Sequence, residues 1–370
     1  MEGDGRVVRA LVLGKGKSGA AAAALLRAAG HEVDFAEGYD LVVASPGVPV
    51  KSELQIGCEE LKRRGWKLLA VTGSKGKSSV VKVVADAIGG IPCGNYGRPV
   101  SDLVGEPPGW AVVEVSSFQL ETTALGPDAF EAAAVLNLQE DHLDRHGSVA
   151  AYHAVKLRLL GFARRGLAGA ADVADAAANA RLLAGSYFDN DVLRANGLVA
   201  AELMRIAGLD DAAIAAAFRV FVPLPHRMSP VAERNGVRFV DDSKATSVAA
   251  LAAGVVMAAQ GAHAPVVRLV AGGQLKGDDP KIALPALTKW AKKVYLIGQG
   301  AKAFFDAWSG EVDCEVCGTL ERAVEGAERE AARGDVVLMS PGAASFDQFA
   351  SFEERGEVFA RLVKKERKER

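Results

Sequence analysis

Cysteine is scarce: Cys58, Cys93, Cys314 and Cys317 are the only four in 370 residues. That is too sparse for a disulfide framework in a chain of this length. Cys314-Glu-Val-Cys317 has CxxC spacing, but no second pair exists to complete a zinc site, and two thiols on a short strand is the simpler account. Charge of one sign is lacking too. Forty-four basic against 46 acidic residues leave a net charge of −2, which removes any bulk attraction to nucleic acid or anionic membrane. There is no long hydrophobic run. The longest uncharged stretch, Ser247 to Val267, is rich in alanine and glycine and is interrupted by Gln260, His263 and Pro265. It predicts a buried helix followed by a strand, not a membrane span. The opening Met1-Glu-Gly-Asp is acidic and lacks the apolar segment of a signal peptide. The expectation is a soluble, cytoplasmic, monomeric protein that binds neither nucleic acid nor membrane.

What remains is ordinary globular material, 49% apolar and 24% charged, enough for two or three domains. Short β-branched runs alternate with Ala/Leu-rich stretches from end to end, the pattern of parallel sheets flanked by helices. No repeat is evident. In the first block a strand over Val7–Leu13 precedes a glycine turn and a helix through Ala29, and a second strand, Leu41–Ala44, follows. The second block begins near Trp66, with strands Lys67–Val71, Ala111–Val115 and Ala133–Leu138 and an Ala-rich, helix-prone stretch from Gly166 to Ala184. Pro223 and Pro225 then mark a linker. Strands Arg238–Val240, Val266–Val270, Val294–Ile297 and Val336–Met339 follow. Lys364–Arg370 reads as a solvated helix end. The blocks divide the chain into 1–62, 63–223 and 224–370.

The strongest chemical signal is Gly73-Ser74-Lys75-Gly76-Lys77-Ser78-Ser79, between an apolar strand and a helix. Backbone N–H groups of such a turn, with a helix N-terminus behind them, cradle phosphate. Lys77 can reach terminal phosphates and Ser78 can hold Mg²⁺. It is not a full Walker motif, because the glycine expected four residues before Gly76 is absent. Gly14-Lys15-Gly16-Lys17-Ser18-Gly19 matches the dinucleotide fingerprint, with Asp34 and Glu37 near the place of a ribose-binding acid. A phosphate-bearing ligand and purely structural turn glycines account for it almost equally well. Glu114 ends an apolar strand that should neighbour the phosphate-loop strand. A carboxylate there binds a metal or pairs with Lys77 or another cation.

Asn137 to His146 gathers polar and ionisable groups at a strand end, where open α/β sheets bind ligands. There His142 can ligate a metal or touch substrate, whereas His146 and His153 read as surface histidines. Lys156, among apolar neighbours, is either a reactive lysine or a snorkelling one. In the third block, four polar or glycine-rich turns follow the linker or a strand: His226-Arg227, Asp242-Ser-Lys244-Ala-Thr246, Gly272 to Gly277 and Ser340 to Ser345. That is more than solubility requires of loops.

Taken together and in order, these segments resemble the Mur ligases of bacterial cell-wall synthesis over nearly the whole chain. Thr72-Gly-Ser-Lys-Gly-Lys-Ser, Glu114-Val-Ser-Ser-Phe-Gln-Leu-Glu121, Glu140-Asp-His-Leu-Asp-Arg145 and Leu224-Pro-His-Arg-Met228 carry the likeness. Asp242-Ser-Lys-Ala-Thr246 and Ser345-Phe-Asp-Gln-Phe349 point within the family to the members that add D-glutamate. The resemblance implies an α/β fold of three domains: an N-terminal Rossmann-like domain, a central P-loop ATPase-type parallel sheet, here shortened, and a C-terminal Rossmann-like domain. It implies an ATP- and Mg²⁺-dependent ligase that adds D-glutamate to UDP-N-acetylmuramoyl-L-alanine through an acyl phosphate, in peptidoglycan precursor synthesis. A mobile C-terminal domain would close to keep water from the acyl phosphate.

The implied roles follow residue by residue. Gly73 to Ser79 bind the ATP phosphates. Ser78 and Glu114 hold one Mg²⁺, and His142 with a carbamylated Lys156 holds a second. Asn196, Arg227 and Asp242 contact the nucleotide, and Lys244 approaches the reacting phosphate. Thr246, Lys276, Ser345 and Phe352 hold D-glutamate. Gly14 to Ser18, Ser45, Pro46, Gly47 and Asn95 hold the UDP-sugar substrate. The chain departs from the family pattern at Lys75, where asparagine is usual, and at Leu193, where an adenine-contacting asparagine is expected. It is also short between Lys156 and Asn196 and after Asp34. Rival readings are a ligase for another amino acid, a folylpolyglutamate-synthase relative, and a non-catalytic nucleotide-binding descendant. A dehydrogenase reading rests on Gly14–Gly19 alone.

Overall fold

The structure, a computed structural model, describes residues 9–36, 51–140, 142–275 and 277–365. The chain divides into two compact units, 1–221 and 222–370. Among the described residues no helix is long and apolar enough to cross a membrane.

The first unit holds two parallel sheets. β1 (Arg9–Leu13) and β2 (Glu32–Ala36) pair side by side around the helix Lys17–Ala28. The larger sheet contains β3 (Lys67–Thr72), β4 (Ile91–Gly94), β5 (Trp110–Glu114), β6 (Ala132–Val135) and β7 (Gly166–Ala168), in the order β4-β5-β3-β6-β7. β3 is central and, after Lys67, entirely buried, as expected of a strand covered by helices on both faces. The chain leaves β3 through the helix Lys77–Ile88 toward β4 and β5, then returns past it to β6. Crossovers that diverge from one strand open a crevice at its C-terminal end.

The second unit has one sheet. Its strands are β8 (Ser229–Arg234), β9 (Val237–Asp241), β10 (Val267–Gly272), β11 (Ala291–Ile297), β12 (Cys314–Gly318) and β13 (Val336–Met339), in the order β12-β11-β10-β13-β9-β8. All pairs are parallel except β8 with β9. Alternation along the strands feeds two cores. Leu269, Ala271, Val294, Leu296 and Leu338 pack on one face, and Val270, Tyr295, Ile297, Val337 and Met339 on the other. Parallel strands all present their C-terminal ends at one edge, so the turns after β9, β10 and β13 lie together.

Several expectations are corrected. The stretch from Gly166 to Ala184 is not continuously helical: Gly166–Ala168 is an edge strand and the helix covers only Ala176–Leu182. The open edge of β6 offers a ladder to Gly166–Ala168, and that pairing overrides alanine's helix propensity. β2, β4 and β8 were not anticipated. β8 carries Pro230, tolerable because the strand is at the sheet's edge. The Ser247–Val267 reading stands, with a helix over Val248–Ala258 and then β10. Cys314 and Cys317 sit on β12, unpaired. The expected strand Leu41–Ala44 lies outside the described residues.

Candidate active site

The phosphate-type turn follows β3 directly. Gly73 and Gly76 have φ of +152° and +83°, and Lys77 opens the next helix. Gly76 is also closely packed: a Cβ there would lie 2.1 Å from Asn196 Nδ2, so that side chain would have to shift. Asn137, just after β6, staples the turn. Its Oδ1 accepts from Lys75 N–H at 2.8 Å, and its Nδ2 donates to Lys75 O at 2.9 Å and to Asn196 Oδ1 at 3.3 Å. Ser74 Oγ accepts from Gln139 N–H at 2.9 Å and lies 3.1 Å from Tyr152 Oη. A loop tied at both shoulders keeps its remaining N–H groups pre-aimed, so little ordering is needed when an anion arrives.

Two lysines converge on the same carbonyl. Lys77 Nζ donates to Gly73 O at 2.8 Å and Ser74 O at 3.3 Å. Lys156 Nζ donates to Gly73 O at 3.0 Å and to Thr72 Oγ1 at 3.4 Å, and stands 4.8 Å from the Tyr152 ring centroid. Lys156 is only 2% exposed; it is buried beneath the turn, not snorkelling. As an ammonium it braces the turn, so metal ligation would require the amine to become a carbamate.

Glu114, at the end of β5, is registered against Val71 of β3, the neighbour expected from sequence. It is 2% exposed. Oε1 accepts from Asn95 Nδ2 at 2.8 Å, while Oε2 is buried with no hydrogen-bond partner. An unsatisfied buried carboxylate oxygen costs about 1–3 kcal/mol, and a divalent cation is the partner that relieves it. The donor set of Glu114 beside the turn that carries Ser78 fits Mg²⁺. Asn95 is thereby tied to Glu114.

After β6 the segment turns back over the helix Ser117–Thr122. His142 has φ of +52°, is exposed, and its ring lies 5.0 Å from Phe118 and 6.3 Å from Tyr152. His146 is not the surface residue expected: its side chain is 3% exposed, with Nδ1 3.3 Å from Glu121 Oε1 and Nε2 3.0 Å from Ser117 Oγ. Arg145 forks onto the same Glu121 carboxylate. His153 is half-buried, with Nε2 buried and unbonded. No cluster of three or more His, Cys, Asp or Glu able to hold a metal occurs among the described residues.

The Gly14–Gly19 turn caps the helix Lys17–Ala28. A Cβ on Gly19 would fall 2.0 Å from Gly14 O, so that glycine is needed for the helix to start so close to the turn. Lys17 lines a groove of about 470 Å³ with Arg98 and Asp102, between this helix and the segment after Asn95. Asp34 forms an exposed ion pair with Arg9 at 3.4 Å. Ser45, Pro46, Gly47 and Lys276 lie outside the described residues.

In the second unit, the segment before β8 is strained: His226 and Met228 have φ of +60° and +48° on either side of Arg227. Such conformations persist where surrounding contacts enforce them. His226 Nδ1 lies 2.6 Å from Asp241 Oδ2, and Met228 N–H donates to Asp242 Oδ1 at 3.2 Å. Ser340 Oγ donates to Asp242 Oδ2 at 2.8 Å. Burial pushes the Asp242 carboxyl up to about 7, against the lowering effects of the Ser340 and Met228 hydrogen bonds and the Arg227 charge.

The turns are cross-linked. Gly342 N–H donates to Ala245 O, and Gln274 and Ala344 exchange two backbone hydrogen bonds. Ser345 is buried, and Thr246 N–H bonds Lys244 O. Lys244 Nζ stands 3.8 Å from the centroid of the Phe352 ring. Thus His226, Arg227, Asp242, Lys244, Thr246, Ser345 and Phe352 share one edge of the sheet. Sequence reasoning assigned no role to Asn137, Tyr152, Ser243, Ser340 or Arg355. Asn137, Ser243 and Ser340 carried a signal, as members of the polar turns after strands, whereas Tyr152 and Arg355 carried none.

A stapled glycine-lysine turn at the end of a central parallel strand, with an orphan carboxylate oxygen beside it, defines a phosphate-loop α/β protein. Comparison with known proteins narrows the class. The Mur ligase middle domain matches residues 100–180, and the Mur ligase, glutamate ligase domain matches residues 226–342. UDP-N-acetylmuramoylalanine–D-glutamate ligase of Hahella chejuensis is 34% identical over 86% of this chain and 83% of its own length. The enzyme of the same name from Rubrobacter xylanophilus is 37% identical over 90% of this chain and 86% of its own. The chain belongs to the Mur ligase family. Among solved structures, MurF ligase from Thermotoga maritima in complex with ADP shares the fold with a TM-score of 0.60 at 15% identity, over 96% of this chain and 94% of that one. A bifunctional folylpolyglutamate synthase/dihydrofolate synthase from Yersinia pestis shares it with a TM-score of 0.55 at 16% identity, over 87% and 96%.

Proposed function

We propose that the protein is an ATP-dependent ligase that joins D-glutamate to UDP-N-acetylmuramoyl-L-alanine in peptidoglycan precursor synthesis. It works in the cytoplasm and as a monomer. The observation that carries the reading is the stapled turn at Gly73–Ser79 with Lys77 and the orphan Glu114 oxygen beside it, in a chain whose curated relatives carry that enzyme name.

In this reading the turn's N–H groups and Lys77 hold the ATP phosphates. Lys77 gives up the carbonyls of Gly73 and Ser74 for the terminal phosphates as they arrive. Ser78 and Glu114 hold one Mg²⁺, which when bound neutralises charge building on the transferring phosphoryl group. Asn196, Arg227 and Asp242 serve the nucleoside end. Residues 1–62, with Gly14 to Ser18, Ser45 to Gly47 and Asn95, present the carboxylate of the UDP-sugar peptide. One of its oxygens attacks the γ-phosphorus, the bond to the ADP oxygen breaks, and an acyl phosphate forms. Thr246, Lys276 and Ser345, in residues 224–370, hold D-glutamate. Its amine attacks the acyl carbon, and phosphate leaves carrying the bridging oxygen. The Lys244 ammonium steadies the charge that collects on that phosphate in both steps. Lys156 supports the turn from below, and its carbamate form, with His142, would offer a second Mg²⁺ position.

The test is an assay of purified protein with ATP, Mg²⁺, UDP-N-acetylmuramoyl-L-alanine and D-glutamate. Phosphate release should match formation of the D-glutamyl product one for one. Lys77→Ala should lower turnover by about 10²- to 10³-fold, the scale of losing one preorganised donor at the transferring group. Phosphate release that ignores D-glutamate, or that prefers another amino acid, would reject the reading.

A further inference from the structure

Phe352 opens the C-terminal helix, with Ser351 as its N-cap. Resemblance alone makes it a substrate contact, but its ring face carries the Lys244 ammonium, 3.8 Å from the centroid. A face in contact with an ammonium is not open to a second ligand. The surroundings hold this pair in place. Ser243, next to Lys244 and fully buried, donates from Oγ to Phe352 O at 2.8 Å. Arg355, one turn along the helix and 1% exposed, donates from Nε to Ser243 Oγ at 3.0 Å and from Nη2 to Ser243 O and Ala343 O at 3.0 and 3.1 Å. The turn after β9, the turn after β13 and the start of the helix are thereby clasped around Lys244 and its ring.

We infer that Phe352 is a positioning residue, which aims the Lys244 ammonium through the negative face of its ring, and that Ser243 and Arg355 fix the ring for that task. A long flexible amine otherwise samples many rotamers. An aromatic face restricts it by attraction between the ammonium and the ring's negative face. The inference rests on the ligase reading above and deepens it, by naming what sets the catalytic lysine.

The experiment replaces Phe352 in the full chain by mono-, di- and trifluorinated phenylalanine. These change the ring's electrostatics with little change of shape. Phe352→Leu gives the aliphatic limit, and Lys244→Met is assayed in parallel. Fluorination should lower kcat stepwise, by about threefold to tenfold across the series as the cation–π attraction fades, with KM for D-glutamate unchanged. Two results would overturn the inference while leaving the ligase reading intact: a flat kcat across the series with Lys244→Met inactive, or a series that moves KM for D-glutamate alone. If Lys244→Met keeps full activity, the role given to Lys244 fails first, and the inference falls with it.

Discussion

Glu114 is buried because its strand is interior to the sheet, between β4 and β3, and it stays half-satisfied because only one of its two oxygens finds a donor. That asymmetry separates a structural carboxylate from one that waits for a cation. In Glu114→Gln the amide oxygen can keep the Asn95 bond while the charge is lost. Its unfolding free energy should match or exceed that of the wild type, and the Mg²⁺ concentration for half-maximal turnover should rise by at least about tenfold. Urea titration and a Mg²⁺ titration of activity check the two halves. Asp242 makes a pH prediction. Its carboxyl, raised from 3.8 to about 7, keeps a proton in the folded state that the unfolded chain releases. Its contribution to stability is complete below about pH 4 and is lost as pH rises through about 7. Asp242→Asn should remove that slope from stability measured by urea unfolding across this range.

At the scale of elements, strand-then-glycine-turn-then-helix was legible at Gly14 and Gly73, because a backbone that must turn sharply declares itself in glycine. The supports of those turns were not legible. Asn137 reaches Lys75 across 62 residues, Tyr152 reaches Ser74 across 78, and Arg355 reaches Ser243 across 112. Such contacts exist only after the sheets form, and no local pattern encodes them. β7 and β8 were missed for a related reason: an open strand edge, not the segment's own propensity, made them strands. Asn137→Ala should leave the sheet intact but loosen the turn, raising KM for ATP about tenfold, the loss of two neutral hydrogen bonds. Gly76→Ala, with both a positive φ and a 2.1 Å collision, should abolish nucleotide binding as read by calorimetry.

At the scale of the molecule, periodicity showed an α/β protein throughout, and the order of turns carried the family. What composition could not show is that each compact unit organises its functional groups at the C-terminal ends of its own sheet. Ligand binding to the native state alone stabilises it by about 2.7 kcal/mol at a hundredfold excess over Kd. ATP with Mg²⁺ should therefore raise the Tm of the wild type and leave that of Lys77→Ala unmoved in a thermal scan.

The central claim is that the carboxylate is activated as an acyl phosphate. UDP-N-acetylmuramoyl-L-alanine labelled with ¹⁸O in its carboxylate, turned over with ATP and D-glutamate, tests it directly. The account predicts one ¹⁸O in each inorganic phosphate released and one retained in the new amide. Unlabelled phosphate accompanying amide formation would contradict it.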